Sequence, residues 1–317
     1  METQQKLQYH SRGKLLLTGE YAVLDGALSL AMPTCKGQVM NVLEDSPTFV
    51  WESYDHREKI WFSMQSSDLL AEITAPKVEG LPAEEASTRL TLCKLLRTLL
   101  EINPLMASRL AHSKITTHLE FDRAWGLGSS STLINNLAQW ADVDPYTLLF
   151  KGFGGSGYDI ACARASTALL YRLSDGKPQA YPVRFLFPYS DHIYFVYRNQ
   201  KQSSKEGIAL YRKVSKSKTK LATTLSHLTE RLLLSQTIAD FCDIIDTHER
   251  TLAAYLGLPT VKEQLFADYR GSVKSLGAWG GDFLLAISAC EDTPAYFAAK
   301  GYQTCVPYSE MIYNNKG

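Results

Sequence analysis

The sequence predicts an α+β protein of two domains, and three observations carry that prediction. At 317 residues the chain exceeds the roughly 250 at which a single hydrophobic core stops growing, so two domains with a cleft between them are expected. The N-terminal region combines short strand patterns with one long helical pattern. The C-terminal part reads as a strand, two helices and two further strands, the order of an antiparallel sheet covered on one face.

Taken in order, Lys14 to Leu17, Val39 to Leu43 and Ile60 to Met64 are apolar or alternating runs that read as strands. From Glu84 to Glu101 the residues Leu90, Leu92, Cys93, Leu95, Leu96, Leu99 and Leu100 recur at helical spacing, and Asn103-Pro104 closes that helix. Ile115 to Phe121 alternates as a strand, then passes through a glycine-serine turn into the helical pattern Leu133 to Trp140. Ala168 to Leu173 is strand-like and stops at the turn Ser174-Asp175-Gly176. His192 to Tyr197 reads as the first strand of a new unit, which divides the chain into 1–187 and 188–317. Helical patterns follow at Leu221 to Leu234 and Ile238 to Leu256, and strands at Val273 to Leu276 and Phe283 to Ser288 flank another glycine turn.

Composition excludes several classes. The apolar and charged fractions, 45% and 21%, are those of a globular protein, and no window approaches the roughly 20 apolar residues of a membrane span. The polar start Met1 to Lys6 has neither a signal nor a transit pattern, so a cytoplasmic address is expected. The six cysteines form no CxxC pair and the seven histidines no HxxxH spacing, so reduced thiols and no zinc are expected. Basic and acidic side chains balance at 33 each, which argues against a nucleic-acid footprint. The basic run Arg212 to Lys220 reads as a solvated loop.

Four glycine-containing segments carry the chemistry. Gly13 to Gly26 places Lys14 beside a strand and Glu20 after a turn, an ordinary strand edge when taken alone. Trp125-Gly126-Leu127-Gly128-Ser129-Ser130-Ser131-Thr132 sits where a strand gives way to a helix. Its glycines let the backbone approach a ligand, and the helix start directs N–H groups and partial positive charge outward, a design suited to phosphates. It has neither a Walker lysine nor dinucleotide-fingerprint spacing, and Ser129 as a simple helix cap is the alternative. Gly154 to Ala161 places Asp159 after a flexible loop, where it is a candidate acid or base or equally a helix cap. Gly277-Ala278-Trp279-Gly280-Gly281-Asp282 lies between two strands and by itself reads as a hairpin turn.

Together and in this order the four segments resemble the signature motifs of the GHMP kinases, over about Gly13 to Ile287. Lys14 to Leu24 is similar to the first motif, Gly126 to Ser130 to the phosphate loop and Gly277 to Gly281 to the third motif. The run Gly157-Tyr158-Asp159-Ile160-Ala161 looks like the signature of the GYDIA-type subgroup, and the closest likeness is to the mevalonate and phosphomevalonate kinase branch. The resemblance implies a ribosomal-protein-like N-terminal domain, a ferredoxin-like C-terminal domain and an active site in the cleft between them. It also implies ATP-dependent, Mg²⁺-assisted phosphorylation of a small molecule, with mevalonate or phosphomevalonate in isoprenoid precursor synthesis as first choice. A sugar or amino-acid hydroxyl is the alternative acceptor, and a homologue that binds nucleotide or metabolite without turnover is the alternative to an enzyme.

Residue by residue, the resemblance implies that Lys14 approaches the transferred phosphate and that Asp159 stands beside the acceptor hydroxyl. Gly126, Leu127, Gly128, Ser129, Ser130 and Ser131 would wrap the ATP phosphates, with Ser130 touching Mg²⁺. Glu20, Tyr21, Gly157, Tyr158, Gly277, Ala278, Gly280 and Gly281 would line the substrate or form the third loop. The chain departs from the family pattern at three positions: Leu148 stands where mevalonate kinases carry a Mg²⁺-holding glutamate, Tyr21 at a common histidine and Trp279 at a usual glycine. The expected partner is a small-molecule substrate, with neither nucleic acid nor membrane, and the expected assembly a monomer or homodimer.

Overall fold

The computed structural model describes residues 6–184, 187–200 and 204–314. Its strands are β1 (Lys6–Leu16), β2 (Ser29–Glu44), β3 (Phe49–Tyr54), β4 (Ile60–Ser66), β5 (Ser113–Leu119), β6 (Ala168–Ser174), β7 (Lys177–Val183), β8 (Ile193–Tyr197), β9 (Ser272–Leu276), β10 (Phe283–Ile287) and β11 (Cys305–Pro307). The helices are α1 (Leu69–Thr74), α2 (Ala83–Ile102), α3 (Met106–Ala111), α4 (Ser129–Trp140), α5 (Pro145–Gly152), α6 (Tyr158–Arg164), α7 (Ser204–Lys213), α8 (Lys218–Leu233), α9 (Ile238–Leu256), α10 (Val261–Leu265), α11 (Thr293–Ala299) and α12 (Tyr308–Met311). The chain forms two compact units that interleave in sequence. The first takes Met1–Gly13, Lys36–Arg123 and Gly128–Arg164; the second takes Lys14–Cys35, Ala124–Leu127 and Ala165–Gly317. The division expected between residues 187 and 188 falls inside the second unit.

In the first unit, β5 pairs antiparallel with the Gln38 to Glu44 end of β2 and parallel with β3, which turns back antiparallel into β4. Alternation sets the faces: Phe49, Trp51 and Ser53 of β3 are buried while Val50, Glu52 and Tyr54 are half-buried. Against the buried face lie Leu92, Leu95, Leu96 and Leu99 of α2, among the residues whose spacing predicts the helix. Burying each contributes about 1.5–3 kcal/mol. The parallel β3/β5 pair needs a long crossover, which β4 and α1 to α3 supply. Helix α4 buries Ile134, Leu137 and Trp140 in the same core and is pinned by a buried polar network. Asn135 Nδ2 donates to Ser11 Oγ (2.8 Å), Ser11 Oγ to Asn136 Oδ1 (2.6 Å), Asn136 Nδ2 to the Gln38 carbonyl (3.0 Å) and Thr132 Oγ1 to Gln38 Oε1 (2.8 Å).

In the second unit the Ser29 to Ala31 end of β2 pairs with β6, and β6 with β7. The Asp175-Gly176 turn joining β6 and β7 has φ of 50° and 73°, the positive pair that a two-residue hairpin needs. Strand β7 carries Pro178 and Pro182, and proline belongs on an edge because it donates nothing to a ladder. A separate antiparallel sheet runs β11-β8-β10-β9, with α9 packed on β9 and α8 on α9. Its core gathers Val196, Val273, Leu284 and Ala286 with Phe266 and Phe297.

The basic run is only in part the expected loop. Arg212 and Lys213 end α7 and Lys218 to Lys220 open α8, where Ser217 caps the helix by accepting from Lys220 N. Lys216 Nζ donates to the Ala254 and Tyr255 carbonyls at 2.5 and 3.2 Å, where the last turn of α9 leaves acceptors unsatisfied. All six cysteines are free thiols, and among the described residues no helix is long and apolar enough to cross a membrane.

Candidate functional site

The first and fourth glycine-containing segments and the Trp125–Leu127 part of the second meet within the second unit. Lys14, in β1, is tied to the second glycine segment twice: its N–H donates to the Leu127 carbonyl (3.0 Å) and its Nζ to the Gly126 carbonyl (3.0 Å). Leu127 is buried and anchors the loop. Gly126 has φ of 65°, and a Cβ there would stand 1.9 Å from Asp282 Oδ2, so the loop and the fourth glycine segment touch through a contact only glycine permits. Trp125 meets Phe283 edge to face at 5.3 Å. The fourth segment is, as its glycines predict, a hairpin loop between β9 and β10, with Leu276 paired to Phe283. Arg198 steadies it, donating from its side chain to the Gly280 carbonyl and from its N–H to the Asp282 carbonyl (2.9 Å). Gly277, Gly280 and Gly281 all have positive φ, and Ala278 is buried.

The first segment continues into this arrangement. Tyr21 has φ of 60°, an uncommon conformation for a bulky residue. Its Oη accepts the Trp279 N–H (2.5 Å) and its ring stacks on Tyr211 at 5.5 Å. Burial pushes the Tyr21 phenol up to about 12, so it stays protonated. Two of the three departures from the family pattern, Tyr21 and Trp279, therefore touch each other.

The Gly128–Ser131 and Gly157–Asp159 residues lie in the first unit. The cap of α4 is Gly128 (φ 91°), and no side chain caps it. Ser129 is inside the helix, so the capping alternative does not hold. The α4 start keeps its outward N–H groups and positive dipole end unmasked by a side chain. Ser131 is buried and donates to the Gly128 carbonyl (2.8 Å), a role within the loop. Ser130 is exposed. Gly157 (φ 85°) starts α6, accepting from the N–H groups of Ile160 (3.1 Å) and Ala161 (3.2 Å), with Tyr158 half-buried beside it. Asp159 thus sits in the first turn of α6 rather than at its cap, and its Oδ1 is buried without a hydrogen-bond partner. An unpaired buried carboxylate oxygen is costly, and such groups concentrate where a ligand or catalytic role supplies the partner. Leu148 is fully buried in α5 as part of the core.

A buried charge cluster in the second unit was not foreseen. Glu20 pairs with Lys274 of β9, and both are essentially inaccessible. Lys274 Nζ also donates to the Ser275 carbonyl (2.9 Å), while Glu249 Oε1 accepts from Ser275 N (3.2 Å) and Oγ (2.9 Å). His248 Nε2 accepts the Gly19 N–H (2.9 Å). Loss of hydration pushes the Glu20 carboxyl up to about 7, a rise that Lys274 opposes. Glu249 is raised by the same cause, and burial followed by the Lys274 charge holds His248 well below its ordinary value, hence neutral. The only sequence signal for this cluster is one lysine in the otherwise uncharged strand Ser-Val-Lys-Ser-Leu.

Mg²⁺ takes one or two protein oxygens together with substrate phosphates rather than a full protein cage. Among the described residues no group of three or more His, Cys, Asp or Glu side chains is arranged to hold a metal. An exposed hydroxyl at Ser130 and the unpaired oxygen of Asp159 fit such a sparse donor set.

No protein-family model matches the chain, and no curated protein is similar to it. Solved structures are. The mevalonate kinase of Methanococcus jannaschii superposes with a TM-score of 0.67 at 14% identity, covering 96% of this chain and 99% of that one. The Streptococcus pneumoniae phosphomevalonate kinase in complex with phosphomevalonate and AMPPNP gives 0.65 at 16% identity, covering 93% and 95%. The Lactococcus lactis galactokinase complexed with galactose gives 0.65 at 13% identity, covering 98% and 95%. Likeness at these identities is likeness of fold, and on that ground the chain has the two-sheet α+β fold of the GHMP kinases.

Proposed function

We propose that this protein is an ATP-dependent small-molecule kinase. The observation that carries the reading is the phosphate loop: Lys14 bonded to Gly126 and Leu127, then a glycine-started helix with no side-chain cap. Phosphoryl transfer depends on in-line positioning and neutralisation of spread negative charge, and this arrangement supplies both kinds of group. The N–H groups at the start of α4, with Ser129 and Ser130, bind the triphosphate, while Lys14 meets charge on the migrating phosphoryl group. Asp159 accepts the proton of the acceptor hydroxyl as its oxygen bonds to the γ-phosphorus and the bond to ADP breaks. Mg²⁺, held by phosphate oxygens with Ser130, would neutralise charge on the phosphates.

The acceptor we favour is mevalonate or phosphomevalonate, supported by the motif resemblance around Tyr158-Asp159 and Asp282 and by fold likeness to kinases of those names. A sugar hydroxyl is the second reading, supported by equal fold likeness to a galactokinase. An ATP-consumption screen with mevalonate, phosphomevalonate, galactose and homoserine tests both. Turnover of either mevalonate compound above the others is expected; robust turnover of galactose with none on either mevalonate compound rejects the first choice. No ATP consumption with any of them leaves the non-catalytic homologue.

A further inference from the structure

Three consecutive residues of the first segment each make a polar contact to a distant part of the chain, and the contacts reach three different elements. Gly19 N–H donates to His248 of α9, Glu20 pairs with Lys274 of β9, and Tyr21 Oη accepts from Trp279 N–H in the β9–β10 loop. The triplet is conformationally committed: Gly19 has φ of 86° with Ser29 Oγ 2.0 Å from where its Cβ would be, and Tyr21 has φ of 60°. On the other side, Ser275, two residues before Gly277, is gripped at its carbonyl by Lys274 and at its N–H and Oγ by Glu249. The arrangement keeps unmet polar atoms, since Glu20 Oε2, Glu249 Oε2 and His248 Nδ1 are buried and make no hydrogen bond. Apolar side chains of similar volume would fill the same space without that cost.

We propose that Lys274 and Tyr21 are positioning residues, which clip the Gly19–Tyr21 segment to the fourth glycine segment so that Lys14's strand and residues 277–281 are held as one body. Lys274 is fully buried, with its ammonium on Glu20 and the Ser275 carbonyl, so it acts through the loop it anchors. That the loop serves phosphoryl transfer rests on the kinase reading above; that the two segments are clipped together does not.

The test uses the full chain in four forms: wild type, Lys274→Met, Tyr21→Phe, and the double variant Glu20→Gln/Lys274→Met. In Lys274→Met, amide hydrogen exchange of residues 19–24 and 277–281 should rise together by about tenfold or more, with β3 and β5 unchanged. Tyr21→Phe should release 277–281 alone. In turnover, Lys274→Met should lower kcat by about tenfold or more while KM for ATP stays within about twofold, the split expected of misplacement rather than lost nucleotide contacts. The double variant removes both partners of the Glu20–Lys274 pair and leaves Glu249 its two Ser275 contacts, so it relieves the unpaired carboxyl that the single variant leaves at Glu20. It should recover the melting temperature while leaving the two segments fast-exchanging and kcat low. Recovery of loop protection and kcat together with stability would overturn the proposal, as would wild-type exchange at 277–281 in a folded Lys274→Met. If wild type consumes no ATP with any acceptor, the kinase reading falls and the exchange data still judge the clip.

Discussion

At Gly126 a single hydrogen atom does what no side chain can. An alanine there would place a methyl group 1.9 Å from Asp282 Oδ2 while keeping φ near 65°, so either the loop or the fourth segment must shift. Gly126→Ala should weaken binding of a non-hydrolysable ATP analogue by about tenfold or more, equal to about 1.4 kcal/mol. Adding Asp282→Ser, which withdraws the crowding atoms, should restore part of that loss, and calorimetric titration of both variants reads the difference. Gly128→Val should abolish nucleotide binding, because the cap of α4 has φ of 91° and the new side chain fills the approach to the helix start. Asp159 is tested by a change that keeps its shape. Asp159→Asn should lower kcat by about two to four orders of magnitude with ATP affinity nearly preserved, the range for loss of a general base. A variant with nearly full kcat would leave Asp159 a structural residue.

The segments that bring these residues together respond to pH through Glu20. Its carboxyl is raised from 4.5 to about 7, first by burial, so between those values the folded chain holds a proton that the unfolded chain has released. The contribution is complete below about 4.5 and is lost as pH rises through about 7; stability from this group falls with rising pH, opposite to the usual surface carboxylate. Glu249, raised for the same reason, adds to it in the same direction. Urea unfolding at pH 5 and pH 8 should show the wild type losing more stability across the interval than Glu20→Gln, and parallel losses would count against a buried protonated Glu20. None of this was legible beforehand, because Glu20 and Lys274 are 254 positions apart and only the fold makes them neighbours. What was legible was periodic: α9 matches the helical pattern from Ile238 to Leu256 because apolar residues face one side until Gly257, at φ 72°, ends it. Strand β3 escaped notice because Glu52 and Tyr54 break its apolar run, and β7 because its two prolines argue against any strand except an edge. In the glycine segments, residue type marked turns and a helix start, but the Gly126–Asp282 contact and the uncapped start of α4 depend on the folded structure.

Both compact units are assembled from separated stretches, and this sets what can fold alone. The second unit draws on Lys14–Cys35 as well as on everything after Arg164. That early stretch contributes Leu16, Leu17, Ala22, Val23, Leu30 and Met32, all buried. It also contributes Glu20 for Lys274, Gly19 for His248, and Thr18, whose hydroxyl lies 2.8 Å from that of Thr229. A cut between residues 187 and 188 removes all of these from the C-terminal piece. Each large apolar side chain lost is worth about 1.5–3 kcal/mol, and a buried ion pair broken on one side costs about 3–5 kcal/mol more. Together these losses rival the roughly 5–15 kcal/mol by which a domain is stable at all. The fragment 188–317 expressed alone should therefore lack a cooperative thermal transition by circular dichroism, whereas 1–187, which holds every stretch of the first unit, should keep one. Refolded from denaturant together with 1–187, the C-terminal fragment should regain a transition, because the missing segments are then supplied in trans. A cooperative melt of 188–317 alone would mean that its four-stranded sheet with α8 and α9 is a self-sufficient domain, and that Lys274 finds in Glu249 all the counter-charge it needs.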